Sequence, residues 1–196
     1  MALGATLPDL AHMAGLRYEK ALLPPAALAG VGHHGRSDAS FHANGRFLAG
    51  SKRLRRAAED AGVPAGASRA IGHVGWELLF DGVLLGQSDV AAHFVDAVDQ
   101  AGSVAGAFAP DDRASWWALA AGLRDDRWWL RYEDPEFVAR RLHRLLWSKP
   151  RLRLSAADLP AVTEVLSAGR PAVQLDAEPV VDAVVSSLSG PSRADR

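Results

Sequence analysis

An all-α single domain of about eight helices is what this sequence predicts, and three observations carry the prediction. Apolar residues recur at helical spacing along most of the chain. Helix-start signals precede those segments again and again, at Thr6, Pro24-Pro25, Ser88-Asp89, Asp111-Asp112, Asp134-Pro135, Ser155 and Glu178-Pro179. No stretch carries a strong strand pattern, and no internal repeat is present. The 196 residues suit one domain, read as 1–188, with a frayed tail over 189–196.

The first helix is expected to start at Thr6, with Pro8 in its first turn. Pro24-Pro25 opens the second, which carries Gly30, Gly32 and Gly35 and either tolerates them or breaks ahead of His34. Asn44-Gly45 reads as a turn. Arg46 to Ala61 then forms an amphipathic helix whose outer face (Lys52, Arg53, Arg55, Arg56) is solvated, ended by Gly62-Val63-Pro64. Ala67 to Gly86 is apolar nearly all round, the mark of a buried helix, with Trp76, Leu79, Phe80 and Leu84 inside. A helix from Ser88 to about Phe108 turns Val90, Phe94, Val95 and Val98 inward. Asp111-Asp112 caps a helix containing Trp116 and Trp117, and the aromatics of the following Arg124 to Tyr132 stretch read as core or pocket wall. Asp134-Pro135 starts a helix to about Trp147 with Phe137, Val138, Leu142, Leu145 and Leu146 inside, and two further helices open at Ser155 and Glu178-Pro179.

Hydrophobic residues make up 48% and charged residues 23%, a globular composition. A net charge of −1 gives no cause to expect a nucleic-acid partner. With no cysteine, disulfides, thiolate metal sites and cysteine nucleophiles are excluded. The start shows no signal-peptide pattern and no run of eighteen apolar residues occurs, so a cytoplasmic protein without a membrane partner is expected. No glycine-rich phosphate loop, nucleophile elbow or His-Glu-x-x-His is present.

Two stripes stand out. His34, Asp38 and His42 fall at i, i+4 and i+8, as do His73, Glu77 and Asp81. On helices each stripe lies on one face, neighbours about 5–6 Å apart at Cβ. The second stripe interrupts an apolar helix, where ionisable groups are costly unless paired, hydrogen-bonded or bound to metal. A His73–Glu77 hydrogen-bond network is one reading; two stripes facing each other across a metal is the other, and the one preferred. Asp9 and His12, at i and i+3, add a weaker pair, and His33 adjoins the first stripe.

Four blocks resemble the acyl carrier protein phosphodiesterase family, distant relatives of the HD-domain metal phosphohydrolases. Leu3-Gly4-Ala5-Thr6-Leu7-Pro8-Asp9 resembles its Gly-x-Leu-x-x-Asp block, and Gly30 to Asp38 its Gly-Ile-His-x-His-x-Arg-x-Asp block. Ala70 to Phe80 resembles a block with two acids bracketing a Trp, then a His. Trp128 to Tyr132 with Lys149 to Leu152 resembles the C-terminal Trp-Leu-x-x-Tyr…Arg-Pro-Arg-Leu region. Gly32, His73 and Leu78 stand where the family has His, acid and His, and its apolar, His-containing opening segment has no counterpart here.

The resemblance implies an HD-like bundle and a metal-dependent phosphodiesterase cleaving the phosphopantetheine-serine linkage or a related phosphoester. It matches Asp9, His34, Arg36 and Asp38 to family positions. The expected metal ligands are Asp9, His34, Asp38, His73 and Glu77, with His12, His33, His42 and Asp81 in second rank. Mixed imidazole and carboxylate donors suit Mn, Fe or Zn better than Mg. Asp38 and Arg36 are the expected catalytic pair, Arg36 clamping the phosphate, which it reaches only if Gly35 breaks the helix. An acidic acyl carrier protein is the implied partner, with Arg124, Arg127, Arg140 and Arg144 as docking groups. A di-iron oxygenase and a non-catalytic helical interaction protein on the same scaffold are the alternatives.

Overall fold

The computed structural model describes residues 2–189 and is all-α: nine α-helices and no strand among the described residues. They are α1 (Ala2–Met13), α2 (Pro25–His42), α3 (Gly45–Asp60), α4 (Ala65–Ala70), α5 (Trp76–Leu85), α6 (Ser88–Asp99), α7 (Arg113–Asp125), α8 (Pro135–Leu146) and α9 (Leu159–Ser189). The chain forms two compact units. One comprises the chain up to Ala39 together with Gln87–Trp129; the other comprises Ser40–Gly86 and the chain from Leu130 onward. No single helix among the described residues is long and apolar enough by itself to cross a membrane.

In the first unit α1 packs on α6, and α6 on α7. The core faces are those of amphipathic helices: Leu3, Leu7 and Leu10 of α1, Val98 of α6, and Trp116 and Leu123 of α7 are all buried. Gly4 is what lets α1 approach α2, since an added Cβ there would collide with the Ala27 backbone. The two fully buried indoles of this unit are satisfied: Trp116 Nε1 donates to Ala101 O at 3.1 Å and Trp129 Nε1 to Leu123 O at 2.8 Å.

In the second unit the long α9 packs against α3, α5 and α8. Asn44 caps α3, its side chain accepting from the backbone N–H of Arg46 at 2.8 Å and of Phe47 at 3.4 Å. The Asn44-Gly45 turn is thus a helix start. The Lys52, Arg53, Arg55 and Arg56 face is exposed, as expected. Between α4 and α5 the helix does not stop: Ile71–Gly75 forms one π-helical turn. Glycines seat this wide turn. A Cβ on Gly72 would lie 2.6 Å from Ser51 O of α3, and one on Gly75 3.2 Å from Leu166 of α9.

Several expectations change. Helix α1 starts at Ala2, four residues before Thr6, and carries Pro8 inside it. Thr6 turns its hydroxyl back to Leu3 O at 3.0 Å instead of capping. The helix after Ser88 tightens into a 3₁₀ run over Gln100–Ala107, leaving Val90, Phe94 and Val95 only partly buried while Val98 is in the core. The two expected C-terminal helices are one: α9 runs through both Pro171 and Pro179. Proline φ suits a helix, and each proline forfeits one hydrogen bond that packing on three helices outweighs. Trp76, Leu79 and Phe80 are buried as expected; Leu84 and Leu145 are partly exposed, and Trp117 is exposed. The tail expected over 189–196 falls, beyond Ser189 at the end of α9, outside the described residues.

Phe80 contacts Phe41 and stacks on Trp76 with ring centroids 5.3 and 5.2 Å away. Phe80→Ala is expected to destabilise the protein by about 3–5 kcal/mol, read as the shift in the urea or thermal unfolding transition. An unchanged midpoint would place the α5 face outside the core.

Candidate metal centre

The second unit brings His42, His73 and Glu77 together. His42 is the last residue of α2, His73 the middle of the π turn, and Glu77 lies in the first turn of α5. Glu77 Oε1 lies 2.9 Å from His42 Nε2 and 3.2 Å from His73 Nε2, so one carboxylate oxygen serves both imidazoles. The two rings stack, centroids 5.0 Å apart and 17° from parallel. Phe47 sets its ring nearly perpendicular to both imidazoles, at 5.2 Å from each, and Phe41 meets His42 edge-on. The aromatic core therefore fixes the ring planes from below, while the side chains of His42, Glu77 and His73 keep 32%, 27% and 49% of their surface exposed.

Among the described residues this is the group of three ligand-type side chains that could hold a metal ion, with ligand atoms all within 4.8 Å of one another. A tetrahedral site with bonds of about 2.0–2.2 Å needs its ligand atoms about 3.4 Å apart. The two Glu77 distances are close to that. Two imidazoles and one carboxylate, with one side open to solvent, match the donor set of zinc sites that keep a position for water or substrate. Without an ion, His42 is hydrogen-bonded to Glu77 and His73 lies at ion-pair distance from the same oxygen.

The other expected residues fall elsewhere. Asp9 and His34 pair in the first unit, Asp9 Oδ2 lying 3.8 Å from His34 Nδ1, with Asp9 75% exposed. Asp38 sits one turn along α2 from His34 and is exposed, as is His12 on α1; His33 is half-buried. None of these five belongs to the three-residue cluster. Asp81 is exposed on α5, one turn past Glu77, and acts on Tyr132 instead: burial raises the Tyr132 phenol above its ordinary value, and the Asp81 carboxylate adds to that while Arg141 and Arg144 oppose it.

Arg36 changes most. Helix α2 runs unbroken through Gly35, so Arg36 points about 160° away from both His34 and Asp38. Its guanidinium lies back along α2 toward Gly32. The condition under which it would have joined the His34–Asp38 face is not met. His42, in second rank from the sequence, is the residue of the first stripe that joins the cluster. The i+8 spacing from His34 was its signal; hidden was that the end of that stripe, not its start, meets the His73 stripe.

Fold and site together define an all-α protein with a His-His-Glu cluster able to hold a metal ion. No protein-family model, no curated protein and no solved structure matches the chain.

Because the cluster is half exposed, Glu77→Ala is expected to lower stability by only about 0.5–1.5 kcal/mol in metal-free buffer, far less than Phe80→Ala. A loss as large as that of the core substitution would make the cluster a structural keystone.

Proposed function

We propose that His42, His73 and Glu77 bind a divalent transition metal, and that the protein is a metal-dependent phosphoester hydrolase acting there. The observation that carries the metal is the convergence of two Nε2 atoms on one carboxylate oxygen over an aromatic floor, with one side open to solvent. The hydrolase reading rests on the four blocks that resemble acyl carrier protein phosphodiesterases. That resemblance also supplies the substrate, the phosphopantetheine-serine phosphodiester of an acidic carrier protein.

The donor set favours Zn, Mn or Fe over Mg. Such an ion polarises a phosphoryl oxygen and makes water a competent nucleophile near neutral pH. The chain's own part is to hold both imidazoles through ring packing and to leave the exposed side of His73 for an incoming phosphate. Among the described residues an acidic partner would meet the exposed cations Arg144, Lys149, Arg151 and Arg153, in a stretch over 140–153 without a single acid. Of the docking groups first expected, Arg124 is paired with Asp125 at 2.8 Å, and Arg140 is bonded to Glu136.

The test is metal content and metal response. Protein purified without a metal-binding tag, stripped with EDTA and reloaded, is expected to take up one Zn or Mn per chain. At a hundredfold excess over Kd the ion adds about 2.7 kcal/mol, which raises Tm by about 5–10 °C for a chain of this size. His42→Ala and His73→Ala should each remove that shift, along with metal-dependent turnover of bis(4-nitrophenyl) phosphate and of a phosphopantetheinylated carrier protein. Affinity should fall as pH drops, because protons compete for the imidazoles. No bound metal and no shift would end the metal reading; a metal-loaded protein inert on both substrates would end the hydrolase reading alone.

A further inference from the structure

On the face of the second unit formed by α3 and α9 lies a cleft of about 230 Å³, lined by apolar groups that include Leu54, Val165 and Val173. Two of its lining residues carry polar groups, Arg53 and Trp76. The indole is unusual. Three tryptophans are fully buried, and two of them, Trp116 and Trp129, give their N–H to a backbone carbonyl. Trp76, only 1% exposed, has no acceptor for its N–H among the described residues. A buried indole N–H ordinarily finds a partner, so one left without calls for an explanation.

The geometry supplies one. Gly50 lies against the indole Nε1, where any side chain would collide with it, and both Gly50 and Trp76 line the cleft. Arg53 follows Gly50 by three residues on α3, so guanidinium and indole N–H are offered from the same side. The local charge favours an anion. Arg46 Nη1 and Arg53 Nη2 both bond Asp176, at 2.9 and 3.3 Å, so two cations face one carboxylate and one positive charge is in surplus.

We infer that this cleft is a binding site for a small apolar carboxylate, its apolar body among Leu54, Val165 and Val173 and its carboxylate accepting from Trp76 Nε1–H and Arg53. A cavity of 150 Å³ accepts benzene, so 230 Å³ accommodates about nine non-hydrogen atoms. Aromatic and short branched or linear monocarboxylates are of that size. The site is separate from the His-His-Glu cluster in its ligands, although Trp76 and Glu77 are neighbours in sequence. Its occupancy needs no metal.

Benzoate in EDTA-containing buffer is the probe, followed by calorimetry and by ¹H–¹⁵N spectra of the six indole N–H groups. Saturable binding with a Kd on the order of 1 mM is expected. The indole cross-peak that Trp76→Phe removes should be the one that shifts most. Arg53→Gln, an exposed substitution that leaves Asp176 bonded to Arg46, should weaken benzoate about tenfold and leave neutral benzyl alcohol unaffected. No saturation up to tens of millimolar, or equal binding by wild type and Arg53→Gln, overturns the proposal, whether or not Trp76→Phe folds. So does an unmoved Trp76 cross-peak at saturation. Because the metal is chelated throughout, neither result bears on the hydrolase reading.

Discussion

The wide turn at Ile71–Gly75 is the constraint on which the second unit depends. A π turn is rare and poorly stabilised by its own hydrogen bonds, so something outside must hold it. Here α3 and α8 do, joined by Leu166 of α9, with Gly72 facing α3 and Gly75 facing Leu142 and Leu166 where larger residues would push the helices apart. Side chains from this one turn and its first α-helical residues go to different places: Ile71 and Trp76 into the core, His73 and Glu77 to the cluster. A regular α-helix would keep a residue's neighbours at 100° steps; the inserted width changes that step locally. π turns are frequent at functional sites, and this one carries a candidate metal ligand at its centre.

The cluster itself balances two demands. Ionisable groups are costly inside and mobile outside. Phe41 and Phe47 press on the imidazoles from the core side, so their planes are set by packing rather than by solvent. The open side leaves the polar edges hydrated, which keeps desolvation modest. Such preset rings suit metal binding, where a free imidazole would lose rotamer entropy on coordination.

Much of the helical layout was legible because it follows from local signals. Asn44, Asp134-Pro135 and the apolar run around Phe80 mark their elements through capping chemistry and periodicity. What was hidden depends on partners distant in sequence. Pro171 and Pro179 argue locally for breaks, yet α9 continues because its apolar residues are covered by α3, α5 and α8. The π turn has no local marker, since its glycines matter through residues distant in sequence: Ser51, Arg55, Leu142 and Leu166. The site was half legible: His73 and Glu77 were found from their spacing, but the partner across from them came from the last turn of α2. The helix break at Gly35 that Arg36 needed is also absent, because one poor helix former inside eighteen residues does not stop a packed helix.

The placement of α9 has a consequence for the order in which the chain matures. His42 and Glu77 are 35 positions apart, so all three cluster residues leave the ribosome close together. Leu166, which packs on Gly75 of the π turn, belongs to a helix that begins only at Leu159. Until it is made, the wide turn has α3 and α8 to rest against but not Leu166. An emerging chain therefore carries the three cluster residues before the turn that positions them has all its neighbours, and the geometry of the cluster is completed only with the last helix.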